Sequence, residues 1–119
     1  MSPGDFGTLP QPLPEPLVEL IARRLRVIGE PMRIRLLDQL RRGEATGQEL
    51  VEATGATQQN VSKHLGVLLQ AGIVGRRKEG NFVHYRIVDH GVFALCEEVC
   101  GSVQRQLAEL GQILETAGR

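Results

Sequence analysis

The segment TQQNVSKHLGVLLQAG, Thr57–Gly72, decides how the rest of this chain is read. Val61, Leu65, Leu68 and Leu69 recur at i, i+4, i+7 and i+8, so they share one face of a helix. Gln59, Asn60, Lys63 and Gly66 fall on the other side. Thr57 stands where an N-cap belongs, its hydroxyl able to accept a bond from a free amide of the first turn. Ala71-Gly72 supplies the stop. Amides, a hydroxyl and a cation crowd the N-terminal half. That is the end that probes base edges when a helix enters the DNA major groove. The segment predicts a DNA-recognition helix, provided its neighbours support one.

Upstream, Thr46–Glu49 (TGQE) has capping-box spacing and opens a short helix carrying Leu50, Val51 and Ala53, which Gly55 closes. The gap to Thr57 is a tight turn, so these two helices form a helix-turn-helix pair. Pro31 starts an earlier helix with Met32, Ile34, Leu36, Leu37 and Leu40 as its apolar residues. Arg41-Arg42-Gly43 ends it, cations at the negative end of the helix dipole and then glycine. Glu15-Pro16 begins the first helix, striped by Leu17, Val18, Ile21, Leu25 and Ile28. Residues 1–14 hold Pro3, Pro10, Pro12, Pro14, Gly4 and Gly7, and are expected to form a disordered arm. Residues 15–117 are expected to make one folded unit.

Downstream, Ile73–Arg77 and Phe82–Val88 read as two strands around the turn signal Glu79-Gly80-Asn81. Asp89 is placed to cap a long last helix, roughly His90–Thr116. Its apolar residues Val92, Cys96, Val99, Val103, Leu107, Leu110 and Leu114 step by 4, 3, 4, 4, 3 and 4. A seam of that length outruns what one small domain covers. A homodimer through the first and last helices is therefore expected, with Leu17, Ile21, Leu25, Val99, Val103, Leu107, Leu110 and Leu114 at its interface.

The chain has 119 residues, the length of one domain, and at 41% hydrophobic it supports a modest core. With three Phe, one Tyr and no Trp, that core is aliphatic. No apolar run reaches the length of a membrane span, and the N-terminus lacks signal-peptide character, so a cytoplasmic protein without membrane contact is the expectation. Two cysteines in that compartment read as reduced thiols. Formal net charge is zero, yet Lys63, Arg76, Arg77, Lys78 and Arg86 stand against Glu79 alone between Thr57 and Arg86, a local +4. A basic face on a neutral molecule suits double-stranded DNA.

Three segments together resemble the ArsR/SmtB family of bacterial repressors. Leu25–Leu40 (LRVIGEPMRIRLLDQL) is similar to its second-helix signature. Gln48–Gly72 (QELVEATGATQQNVSKHLGVLLQAG) is similar to its helix-turn-helix with a Ser-x-His-Leu core. Gly75–Ile87 (GRRKEGNFVHYRI) is similar to its wing. The match covers roughly residues 17 to 105. It implies a mainly α fold with a small β-hairpin, a winged helix-turn-helix of five helices with the hairpin between the fourth and fifth. It also implies a homodimeric regulator, usually a repressor, whose affinity for operator DNA changes when an effector binds. Carried onto this chain, Thr57, Gln58, Gln59, Asn60, Ser62, Lys63 and His64 become the base- and phosphate-reading set, with Gln and Asn suited to adenine edges. Ser62 and His64 also flank the apolar stripe, where packing would claim them. Arg76, Arg77, Lys78 and Arg86 become phosphate clamps, against the plainer reading of a charged hairpin edge that blocks strand pairing.

The effector does not transfer from the resemblance. Ala45–Val51 lacks the Cys-x-Cys of the metalloid site. Asp89 matches the first ligand of the zinc site, but Gly91 and Ser102 stand where later ligands would be. Cys96 and Cys100, at i and i+4, share a helix face. They fit three roles: small hydrophobes in the seam, a soft site for arsenite, zinc or copper(I), or a redox-responsive thiol pair. His84, Asp89 and His90 form a second metal candidate, suited to nickel or zinc if they converge, while Asp89 doubles as a helix cap. An enzyme reading as a thiol oxidoreductase fails on spacing. Cys-x-x-x-Cys sits past the first turn of its helix with Glu97 and Glu98 between, which opposes a low thiol pKa. A winged helix used purely for protein contact is opposed by the basic hairpin and the amide-rich front.

Overall fold

The computed structural model describes residues 9–117. The chain runs α1 (Glu15–Ile28), α2 (Pro31–Leu40), β1 (Ala45–Thr46), α3 (Gly47–Thr54), α4 (Gln58–Gln70), β2 (Val74–Glu79), β3 (Phe82–Ile87) and α5 (His90–Ala117). The arm expected over residues 1–14 falls partly outside the described residues. Residues 9–14 form no helix or strand.

Local chemistry explains each boundary. Pro16 opens α1. The Glu30 carboxylate caps α2 by accepting from the Arg33 amide at 2.9 Å. The capping box of α3 is complete. Thr46 Oγ1 accepts from the Glu49 amide at 3.1 Å, and Glu49 Oε1 accepts from the Thr46 amide at 2.8 Å. Gly55 closes α3 at φ 72°, a left-handed conformation in which a Cβ is strained. Thr57 caps α4 through the Asn60 amide at 3.1 Å.

α2, α3 and α4 close on Leu36, Leu37, Leu40, Leu50, Val61, Leu65 and Leu68, and Ile73, Val74 and Val92 seal the sheet and α5 onto them. Leu36, Leu68 and Ile73 are completely buried. Truncating one to alanine costs about 2–5 kcal/mol by lost transfer energy and the cavity left behind.

The sheet holds one strand more than the sequence reading. Ala45 and Thr46 pair antiparallel with Tyr85 and His84, giving the order β1-β3-β2. The hairpin ladder runs from Val74↔Ile87 to Glu79↔Phe82, so Glu79 belongs to the strand rather than to the turn. The turn is the two-residue loop Gly80-Asn81, and Gly80 has φ 61°. Such short loops match the strand twist only with a left-handed residue. Ile73 sits ahead of β2, and its carbonyl accepts from the Val88 amide at 2.9 Å. No helix among the described residues is long and apolar enough to cross a membrane.

Candidate nucleic-acid interface

Burial divides α4 cleanly. Val61, His64, Leu65 and Leu68 face the core, while Gln58, Gln59, Ser62, Lys63 and Gly66 face outward. Thr57 is exposed at the cap and Asn60 is half-buried at the edge of this surface. Gln59, Asn60 and Lys63 border an open depression whose far wall is Met32 and the Thr54–Thr57 turn.

His64 takes the packing position that its place beside the apolar stripe allowed. It is 7% exposed, on the core side of α4 rather than on its outward face. Its Nδ1 lies 3.0 Å from Arg33 Nη1. A guanidinium only donates, so the contact is a hydrogen bond when Nδ1 carries no proton. Glu30 Oε2 is 3.6 Å from the same nitrogen. The Arg33 amide holds the Glu30 carboxyl below its ordinary range.

The hairpin sorts its cations by face. Strand alternation puts Arg76 and Lys78 on the face of Val74, Tyr85 and Ile87, which packs onto the helices. No ion pair engages Arg76, Lys78 or Lys63 among the described residues. Arg77 and Arg86, expected as phosphate clamps, lie on the opposite face and are drawn to acids. Arg77 Nη2 is 2.8 Å from Glu44 Oε1, and its Nη1 is 2.6 Å from Glu79 Oε2. Arg86 Nη1 is 3.9 Å from Glu44 Oε2. Hydrogen bonds from Arg77 hold Glu44 and Glu79 below the carboxylate range, and Glu44 raises Arg77 in turn. Glu44 was missed in the sequence because nothing local marks a partner across 33 positions.

The outer sides of α1 and α5 are apolar and open. On α1, Val18, Leu20, Ile21 and Leu25 are exposed, while Leu17 is half-buried. On α5, Val99, Val103, Leu107, Leu110, Ile113 and Leu114 are exposed, and Val92 is the buried residue of that helix. Leu20 and Ile113 are two further exposed apolar residues on these helices. Their signal was present at i+3 from Leu17 and Leu110.

Residues 30–75 match the model of the bacterial regulatory protein, arsR family. The SmtB transcriptional repressor of Mycobacterium tuberculosis is 37% identical over 83 residues, 70% of this chain and 62% of that repressor. The HTH-type transcriptional regulator Rv0081 of the same organism is 33% identical over 102 residues, 85% of this chain and 90% of that one.

The chain belongs to the arsR family of bacterial regulatory proteins.

The fold agrees. The crystal structure of Rv0081 superposes with a TM-score of 0.72 at 32% identity, covering 81% of this chain and 97% of that one. The solution structure of the homodimeric winged helix-turn-helix DNA-binding domain of Mb0332 from Mycobacterium bovis gives a TM-score of 0.72 at 26% identity, covering 91% and 94%. This chain spans about three fifths of SmtB, the 62% already given.

Within this arsR-family chain the two effector candidates fare differently. No three His, Cys, Asp or Glu side chains among the described residues are placed to hold a metal. His84, Asp89 and His90 therefore do not converge within one chain. Asp89 is taken by Arg24 and by the cap of α5, His84 lies 4.0 Å from Glu79, and His90 is exposed. Cys96 and Cys100 do line one apolar cleft, with Ile34, Leu37, Phe93 and Arg41. Cys96 is half-buried and Cys100 exposed. Burial pushes the Cys96 thiol up, against a smaller opposing pull from Arg41.

Proposed function

We propose that the chain is a homodimeric, operator-binding transcriptional repressor without enzymatic activity, acting in the cytoplasm. Residues 15–117 form its folded unit. The observation that carries this reading is the sided character of α4. A fully packed apolar back fixes the helix, and its front presents Gln58, Gln59, Ser62 and Lys63 to solvent. The free cations Arg76 and Lys78 stand on the hairpin face nearest the helices. In this reading α4 enters the major groove, with Asn60 and Thr57 at its edge, and the hairpin rests on phosphates. The exposed faces of α1 and α5 join two copies. The test is fluorescence anisotropy of the full chain on a duplex selected from a random-sequence pool, across a salt series. Binding that weakens steeply with salt supports the reading, since each neutralised phosphate releases counterions. Selection of no sequence over competitor DNA would sink it.

A second reading concerns regulation. Cys96 and Cys100 share a cleft, which supports a soft-ion or thiol-reactive effector site over two unrelated packing residues. Arsenite, zinc, nickel, copper(I) and an oxidant, titrated separately into the protein–DNA complex, test it. A ten-fold shift that disappears in Cys96→Ser/Cys100→Ser supports the site. The same shift in the double variant assigns regulation elsewhere.

A further inference from the structure

Arg24 projects from α1 and ties three helices together. Its Nη2 donates to Asp89 Oδ2 at 2.6 Å. Its Nη1 donates to the carbonyl of Ala71, the C-cap of α4. The other Asp89 oxygen, Oδ1, accepts from the amides of Gly91 at 3.0 Å and Val92 at 3.2 Å, capping α5. One guanidinium thus joins the side of α1, the start of α5 and the end of α4. Arg33 makes a second tie. Its Nε donates to the Val27 carbonyl near the end of α1, and its Nη1 reaches His64 on α4. α1 buries only Ile28 outright, so apolar packing does little to fix its angle. The polar ties supply what packing leaves loose.

The helices joined this way divide by role. α1 and α5 carry the open apolar faces, and α4 carries the reading surface. We propose that Arg24 is a positioning residue for DNA recognition. It sets the angle between the dimer helices and α4, and through that angle the separation of the two recognition helices. The inference rests on the homodimeric operator-binding reading above. Its physical basis is the planar fork of arginine, which holds two acceptors at fixed relative positions. A lysine carries the same charge on one rotatable nitrogen and does not reproduce the fork. The property selected is half-site spacing, because a two-fold dimer reads two half-sites at the distance its recognition helices allow.

The experiment compares the wild-type chain with Arg24→Lys and Arg24→Gln. The duplexes carry the half-sites recovered by random-sequence selection, with the spacer lengthened or shortened by single base pairs. Sedimentation of each protein reports its assembly. Arg24→Lys keeps charge and stem, so it guards against a variant that merely fails to fold. The expected result is a dimer of unchanged mass that binds the preferred spacing about ten-fold more weakly and the other spacings about as well as wild type, flattening the profile. A variant that keeps the wild-type profile overturns the inference. So does a variant that sediments as a monomer, because Arg24 would then serve assembly. A wild-type chain that selects no DNA fails at the operator reading itself, and the inference falls with it.

Discussion

Arg77 and Glu44 are bound by two donors to one oxygen, Nη2 at 2.8 Å and Nε at 3.0 Å from Oε1, across 33 positions of sequence. The pair takes a wing cation out of service. Glu79 holds the same guanidinium at 2.6 Å, so the double variant Glu44→Gln/Glu79→Gln should release it toward phosphate. The expected outcome is tighter binding to any duplex and a salt slope steeper by about one unit, with sequence preference unchanged. Anisotropy across a salt series measures both. Melting should move little, because both side chains are at the surface. An unchanged slope would mean that the outer face of the wing never meets the backbone.

His64 should matter for folding rather than for contact. His64→Ala leaves Arg33 Nη1 without its acceptor and opens a gap behind α4, and is expected to cost roughly 1–3 kcal/mol. Urea denaturation reads that loss. Once corrected for the folded fraction, DNA affinity should stay within about two-fold, whereas loss of a base contact costs more.

Acid should weaken the fold through four carboxylates. Glu30, Glu44, Glu49 and Glu79 are all held below the ordinary value of 4.5, by the Arg33 amide, by Arg77, by the Thr46 amide and by Arg77 respectively. A group depressed in the folded chain binds protons more readily when unfolded. Its contribution is complete above 4.5 and disappears as pH falls through the folded value. Thermal melts should be flat from neutrality to about pH 5 and decline below it. Glu49→Gln, which removes one member of the set, should make the decline shallower.

The seam on α5 should be broken by charge. Leu107→Asp places a carboxylate where the exposed apolar run is continuous. Sedimentation should show a monomer, and affinity for a two-half-site duplex should fall at least about ten-fold as the second half-site is lost. A variant that remains dimeric would move the interface to α1 alone.

The helix-turn-helix was legible because its signals are local. Four apolar residues at helical spacing, a threonine cap and a capping box within four residues each specify their own geometry. β1 was not legible. Two residues carry no periodicity, and Ala45-Thr46 becomes a strand only because β3 offers it an edge. His64 sits beside Val61, Leu65 and Leu68, so burial could be weighed from spacing. What decided it was Arg33, 31 positions upstream. Arg77 looked free because its acid comes from before α3, and nothing local marks Arg24, whose partner Asp89 lies 65 positions away. Residues that reach DNA can be chosen by face. Residues already spoken for inside the molecule are known only once the chain has closed.

α5 runs for 28 residues, ~42 Å at helical rise, and every described residue after Gly101 is exposed in the single chain. Under the proposed function that segment is closed only by a second copy, which makes order in the last part of the chain a function of protomer concentration. When protomers are scarce, the dimer population grows with the square of their number. Operator occupancy under the proposed function then responds to gene dosage more steeply than a monomer's would, and a small fall in synthesis lifts repression out of proportion.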